Sequence, residues 1–361
     1  MSDTQQEDNI KIDDSKPAAD KTVKNPKKDL KKFLLKLFIF FIAINLPTFI
    51  YFDFFQMNYG YIDCPMWKYS KDFIKGKINS GEPDPKLLIM GDSRAMAGVI
   101  PGEVSDSANS LCLTGGSTVE IYYMIKDYLK NHTAPKAIFC SVSPNHLETH
   151  TEFFYRAVNY KFLSSMQVLE ILNKARELND YPFKWREPMA GNYFLEFFLY
   201  RMDFILYYKA ELTAGQFYKR REPNLQVYNS LKSSLGYMNF SPGSYSSDLN
   251  EEAKTPVFKP SPLLTYYLEK VFDLCAKNNI KIIYQTMPMN EASYAALTRE
   301  YTSGYTDCLQ KMQNKYPSAV ISSEIVQFTN DCFGDNSHLN GNGAKKMSQY
   351  IKEKYFPDGV Q

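Results

Sequence analysis

From Lys86 onward the chain repeats one pattern: a short apolar run that stops at glycine, serine or asparagine, then a longer stretch with helical spacing. The runs KLLIMGDS (86–93), SLCLTGGS (110–117), KAIFCSVSPN (136–145), KIIYQTMPMN (281–290) and AVISSEI (319–325) have the length and bounding turn residues of buried strands. Thr118 to Asn131 places Ile121, Met124, Ile125, Tyr128 and Leu129 on one helical face. A second helix, with Ser261 as N-cap and Pro262 in its first turn, runs to about Asn279. Further helices are expected from about Glu291 to Tyr316 and from about Asn342 to Lys354. Strands alternating with helices predict an α/β chain with a parallel sheet covered on both faces, a three-layer α/β/α arrangement. Ligands bind such sheets at the carboxyl ends of the strands. Those ends carry Ser93 after the first strand, Gly115 and Gly116 after the second, and Asn145 after the third.

The pattern is interrupted once. About 110 residues, 150–260, separate the third run from the fourth. They begin rich in aromatics (Phe153, Phe154, Tyr155, Tyr193, Phe194, Phe197) and turn later to Ser, Gly and Pro, which predicts a helical insertion followed by a loop. The insertion either caps the active face or packs beside the sheet. Aromatics make up 15% of the chain, which suits membrane or carbohydrate contacts and an aromatic core equally. With 42 Lys and Arg against 40 Asp and Glu, no global field draws nucleic acid. Six cysteines without a C-x-x-C pair exclude a disulfide mini-scaffold. Cys112 and Cys140 fall in expected strands as buried thiols, while Cys308 and Cys332 are a candidate disulfide pair.

The N-terminal part follows other rules. Residues 1–32 hold almost no apolar side chains and are expected to be disordered; Lys21, Lys24, Lys27, Lys28, Lys31 and Lys32 close the stretch. FLLKLFIFFIAINLPTFIYF (33–52) then provides twenty residues, about 30 Å of helix, the thickness of a bilayer core. A cleaved signal peptide would have a shorter apolar region and a small-x-small site, and neither is present. Residues 33–55 therefore read as an uncleaved, single-pass signal anchor. The preceding lysines place the N-terminus in the cytoplasm and the rest of the chain outside it. Residues 56–85 read as a juxtamembrane stalk, and 86–361 as the extracytoplasmic domain.

Ser93, in IMGDSRAM, sits at the turn leaving the first strand, where its hydroxyl is exposed and its N–H faces an incoming oxyanion. A serine needs a base to become a nucleophile. Of four histidines, His338 in GDNSHLNGNGA has Asp335 three residues ahead, where a carboxylate can orient the imidazole and stabilise its cation. His132 reads as an exposed helix end. His146 and His150 lie beside the third strand's end, but no third metal ligand accompanies them. Gly115 or Gly116 allows close backbone approach, and Asn145 can donate its side-chain amide. Arg94 is placed either to meet an acidic group of a substrate or to brace the Asp92 region.

The order of these elements, GDS after the first strand, Gly after the second, Asn after the third and D-x-x-H before the last helix, resembles the SGNH (GDSL-type) hydrolase superfamily. The resemblance covers roughly 86–145 and 281–354; GDSR stands where the family has GDSL, and Ser143-Pro144-Asn145-His146 where it commonly has Gly-x-Asn-Asp. It implies a flavodoxin-like parallel sheet, with Ser93 as nucleophile, His338 as base and Asp335 as its orienter. The oxyanion hole falls on the Ser93 N–H, Gly115 and the Asn145 side chain, with Arg94, Gly116 and His146 as candidate substrate-binding residues. No cofactor or metal is implied. A tethered domain of this kind is similar to proteins that O-acetylate alginate, cellulose or peptidoglycan, or that serve D-alanylation of teichoic acids. Those work beside a multi-pass membrane-bound O-acyltransferase. The expected activity is acyl transfer to, or ester hydrolysis on, a cell-envelope polysaccharide. The alternatives are a lipid esterase or thioesterase and a non-catalytic scaffold of an O-acylation complex.

Overall fold

A computed structural model describes residues 26–51, 62–78, 81–183, 192–201 and 216–360. The chain divides into two units, Met1–Ile50 and Tyr51–Gln361. In the first, the lysine-rich start of the apolar segment is already helical: one helix covers Pro26–Tyr51, with exposed apolar side chains from Leu30 through Ile44 and at Leu46. Most of the expected disordered tail, residues 1–25, lies outside the described residues. Among the described residues no helix is long and apolar enough to cross a membrane. Side chains at 45 and 47–51 are not described, so the continuous described apolar stretch from Phe33 ends at Ile44, twelve residues or about 18 Å.

The second unit is an α/β structure around a five-stranded, wholly parallel sheet. Its strands are β1 (Leu87–Gly91), β2 (Ala108–Ser110), β3 (Ala137–Ser141), β4 (Lys281–Tyr284) and, after a short β5 (Met289–Asn290), β6 (Val320–Ile321). The order is β2-β1-β3-β4-β6, and β5 pairs separately with β7 (Gln327–Phe328). Register places Leu87 beside both Ala108 and Ala137, Gly91 beside Ser141, and Cys140 beside Tyr284. β1 and β3 are buried at every position, as a sheet covered on both faces requires. The chain moves from β1 to β2 and then back across β1 to β3. The direction of winding therefore reverses between β1 and β3, and a crevice opens at their carboxyl ends.

The second strand is shorter and earlier than its apolar run: Leu111 and Leu113 continue the ladder through their N–H groups to Ile89 O and Gly91 O, and Thr114 to Gly116 then turn away. The helix expected over 291–316 is two helices, Glu291–Ala296 and Arg299–Lys315, because Thr298 caps the second by accepting the Tyr301 N–H. Ser261 caps Pro262–Lys277 as expected, and that helix packs on Thr118–Tyr128.

One expectation is overturned. The segment read as a stalk carries the helix Cys64–Ile74, whose Trp67, Tyr69 and Phe73 are buried in the core of the same unit. Tyr69 OH donates to Asn109 Oδ1 at 2.9 Å and Trp67 Nε1 to Thr114 Oγ1 at 3.0 Å, so this helix braces β2 and the loop after it. The insertion has two parts. Its aromatic part forms a packed cluster: Phe153 and Phe183 stack 4.3 Å apart, and Tyr193 stacks on Tyr181 at 4.7 Å. Phe153, Phe154 and Phe197 are buried, which makes them core rather than an open stacking surface. Leu235 O accepts the Ser110 N–H on the open side of β2, shielding a sheet edge. The later part, 237–254, lies across the carboxyl end of the sheet and is described next.

Candidate active site

Asp92 shapes the turn after β1. It is fully buried and caps the short helix Ser93–Gly98 by accepting the Arg94 N–H at Oδ1, 3.0 Å. Its Oδ2 accepts the Ser143 N–H at 2.9 Å, which ties the exit of β3 to the exit of β1. His146 Nδ1 stands 3.0 Å from the same oxygen. Burial pushes the Asp92 carboxyl up, but His146, the Arg94 guanidinium and the Ser143 N–H together hold it well below the usual carboxylate range. An ionised carboxylate thus anchors the turn on which Ser93 is presented.

His338 reaches that turn from a loop 245 residues later in the chain. Its Nε2 lies 2.9 Å from Ser93 Oγ, and its Nδ1 lies 2.9 and 3.1 Å from the two Asp335 oxygens. The loop is locally self-built. Asp335 Oδ1 accepts the N–H groups of Ser337 (2.8 Å) and His338 (2.7 Å), an Asx-type turn, and Gly334 N donates to His338 O. The same carboxylate then faces the imidazole it has positioned. Desolvation raises the Asp335 pKa, yet the hydrogen bonds from His338, Ser241 and Ser337 outweigh it and leave the carboxyl well below its ordinary value. With Asp335 ionised, the His338 proton belongs on Nδ1 and Nε2 is free to accept from Ser93. Ser93 is partly exposed.

The loop after β2 distinguishes the two glycines that residue spacing left equivalent. Gly116 N–H donates to Leu113 O at 2.9 Å and is spent in a turn, whereas no acceptor meets the Gly115 N–H among the described residues. Gly115 sits at φ +63°, and a side chain there would run into the Arg156 guanidinium. Asn145 is the second residue of the turn Pro144–Leu147 after β3; its backbone N–H donates to Glu252 Oε1 at 3.3 Å, and its half-buried side chain has no partner among the described residues. Ser93, Gly115 and Asn145 therefore end three adjacent strands of one sheet, with available donors at Gly115 and Asn145.

Two of the candidate substrate-binding residues have other duties. Arg94 is buried, and its Nη2 pairs with the fully buried Glu252 Oε2 at 2.8 Å, so it braces the nucleophile turn instead of facing a substrate. Gly116 has spent its N–H. His146 stays at the crevice, held toward Asp92. The remaining histidines are structural. His150 is buried with Nε2 2.8 Å from Glu120, the carboxylate of the Ser117–Glu120 capping box. His132 is not an exposed helix end. It bonds Asp84 and Phe73 O and stacks on Tyr128 at 4.4 Å. Among the described residues no group of three or more His, Cys, Asp or Glu side chains could hold a metal ion.

Sequence reasoning missed the residues of the 237–254 segment. Ser241 Oγ donates to Asp335 Oδ2 at 2.6 Å, Phe240 packs 5.4 Å from the His338 ring, and Glu252 pairs with Arg94. This strap is pinned by Met238 N to Met96 O, Ser246 N to Asn330 O and Asn336 Nδ2 to Leu249 O. It crosses Gly334 so closely that a Cβ on Gly243 would come within 2.7 Å of the Gly334 carbonyl oxygen. The only local signal was Asn250 before Glu-Glu-Ala, a helix start that the structure realises at Glu251–Lys254.

No family model matches the chain, and no curated protein matches it. Among solved structures, a chain described as "a putative platelet activating factor from Streptococcus pneumonia" aligns over 81% of this chain and 92% of its own, at 12% identity and a TM-score of 0.36. A likeness this loose says nothing about chemistry, and the reading of the site rests on its own geometry.

Proposed function

We propose that the chain is a serine acyltransferase, or its esterase counterpart, of the SGNH type. The observation that carries this reading is the continuous Ser93–His338–Asp335 chain of hydrogen bonds, with 2.9 Å at both links. In the proposed reaction Ser93 Oγ attacks the ester carbonyl while its proton passes to His338 Nε2, and Asp335 balances the imidazolium. The developing oxyanion is met by the N–H groups of Ser93 and Gly115 and by the Asn145 amide. His338 returns the proton to the leaving alcohol, which departs and leaves an acyl-Ser93. An acceptor hydroxyl, of water or of a second alcohol, then attacks the acyl carbon and gives its proton to His338, which passes it to Ser93 Oγ as the acyl–Ser93 bond breaks.

The proposed acceptor is a cell-envelope polysaccharide, and the proposed setting is the outer face of the membrane. The lysine-flanked apolar run 33–52 and the exposed apolar side chains of the Pro26–Tyr51 helix support a single-pass anchor with a cytoplasmic N-terminus. Tethering raises the concentration of the site near a membrane-delivered acyl donor, which fits a multi-pass O-acyltransferase as partner. The test is p-nitrophenyl acetate turnover by the full chain in detergent, wild type beside Ser93→Ala, with and without polysaccharide. Ser93-dependent release with acetyl appearing on the polysaccharide is the expected result. Release to water alone selects the esterase form, and equal rates in wild type and variant refute the enzyme reading in favour of a scaffold.

A further inference from the structure

Glu252 is a fully buried carboxylate with no part in the proton relay. It comes from the insertion, on a short helix capped by Asn250, whose Oδ1 accepts the Ala253 N–H and whose own N–H donates to Ser293 Oγ. Its two oxygens face two different pieces of the site. Oε2 pairs with Arg94 Nη2 at 2.8 Å, directly after the nucleophile, and Oε1 accepts the Asn145 N–H at 3.3 Å. The turn bearing Asn145 thus hangs from two carboxylates: Asp92 holds it at the Ser143 N–H and Glu252 holds it two residues on. Both carboxylates also grip Arg94, one at its backbone N–H and the other at its guanidinium. A buried ion pair is a weak source of net stability but a strict one in geometry, since neither partner can turn away without leaving a charge unpaired.

We infer that Glu252 is a positioning residue through which the insertion aligns Asn145 with the Ser93 turn, so that the oxyanion hole is complete only with the strap docked. This rests on the proposed acyl-transfer reading of Ser93 and Asn145. An oxyanion donor acts only when aimed at the place where charge develops, so a displaced Asn145 costs turnover while leaving ground-state binding nearly untouched.

The test uses the full chain in detergent with p-nitrophenyl acetate, comparing wild type, Glu252→Gln, Asn145→Ala and the double variant, with Ser93→Ala as control. Removing one oxyanion donor costs about 100-fold or more in kcat, so partial misalignment by Glu252→Gln is expected to cost roughly 10-fold, with KM within about twofold. In the Asn145→Ala background the same change is expected to cost less than about twofold, because the two act through one donor. Additive losses, or a loss confined to KM, overturn the inference. Should Glu252→Gln fail to fold, Arg94→Met with Glu252→Met removes both charges together and keeps the site apolar. That variant is also expected to lose kcat because Asn145 N–H lacks its acceptor; wild-type kcat in it refutes the role. If Ser93→Ala retains turnover, the acyl-transfer reading itself has failed, a result separate from any of these.

Discussion

Replacing Ser241 by alanine probes the strap's second hold on the site. Ser241 Oγ is one of four donors on the Asp335 carboxylate, with Ser337 N, His338 N and His338 Nδ1. A hydrogen bond to a charged group is worth about 1.5–3 kcal/mol when buried. Asp335 is 39% exposed at its side chain, so water replaces much of the loss and about 1 kcal/mol is the reasonable expectation. If half or more of that appears in the transition state, where Asp335 faces a full imidazolium, kcat falls roughly two- to fivefold. The stability effect has a defined pH dependence. The Asp335 pKa in the folded protein lies below its ordinary 3.8, so its contribution is present above that value and is lost as pH falls through the folded-state value. Ser241→Ala raises the folded-state pKa toward 3.8. Its deficit against wild type is therefore expected in full near pH 6–7 and to shrink below about pH 4. Urea unfolding at a series of pH values, beside steady-state kinetics on p-nitrophenyl acetate, reads both. A variant with unchanged kcat and a deficit independent of pH refutes the idea that Ser241 acts through Asp335.

Two further outcomes are expected. A Cβ added at Gly334 would press into the Ser241 carbonyl and stand 2.7 Å from the Ser241 Cβ, so Gly334→Ala is expected to lift the strap and lower kcat at least as much as Ser241→Ala, with a Tm loss of a few degrees; wild-type kinetics would show that the strap is not coupled to the site. All six cysteines are free thiols and all but Cys308 are buried, with burial pushing Cys112 up to about 12. A thiol reagent is therefore expected to modify about one thiol rapidly in the native protein and six after denaturation, and a count of four after denaturation would mean that a disulfide such as Cys308–Cys332 has formed.

What was legible in the sequence is what short-range physics governs. Apolar runs of strand length located β1, β3 and β4, because a buried strand needs no partner information to declare itself. Capping placed Pro262–Lys277, since Ser261 and Pro262 act within one turn. The Asp335–His338 pair was readable for the same reason: an Asx turn spans three residues and carries its own geometry. Ser93 was readable by its place at a strand end.

Tertiary structure decided the rest. Whether His338 meets Ser93 depends on the sheet order that brings residues 245 apart to 2.9 Å. Among the described residues Gly115 rather than Gly116 keeps its N–H without an acceptor, because Gly116 donates to Leu113 O. Arg94 braces instead of binding because Glu252, 158 residues on, is buried beside it. The helix Cys64–Ile74 joined the core because Trp67 and Tyr69 found partners at Thr114 and Asn109, which nothing in the local pattern specifies. Hydrogen-bond caps and apolar periodicity are properties of neighbours in the chain, whereas the docking of an insertion is a property of two finished surfaces.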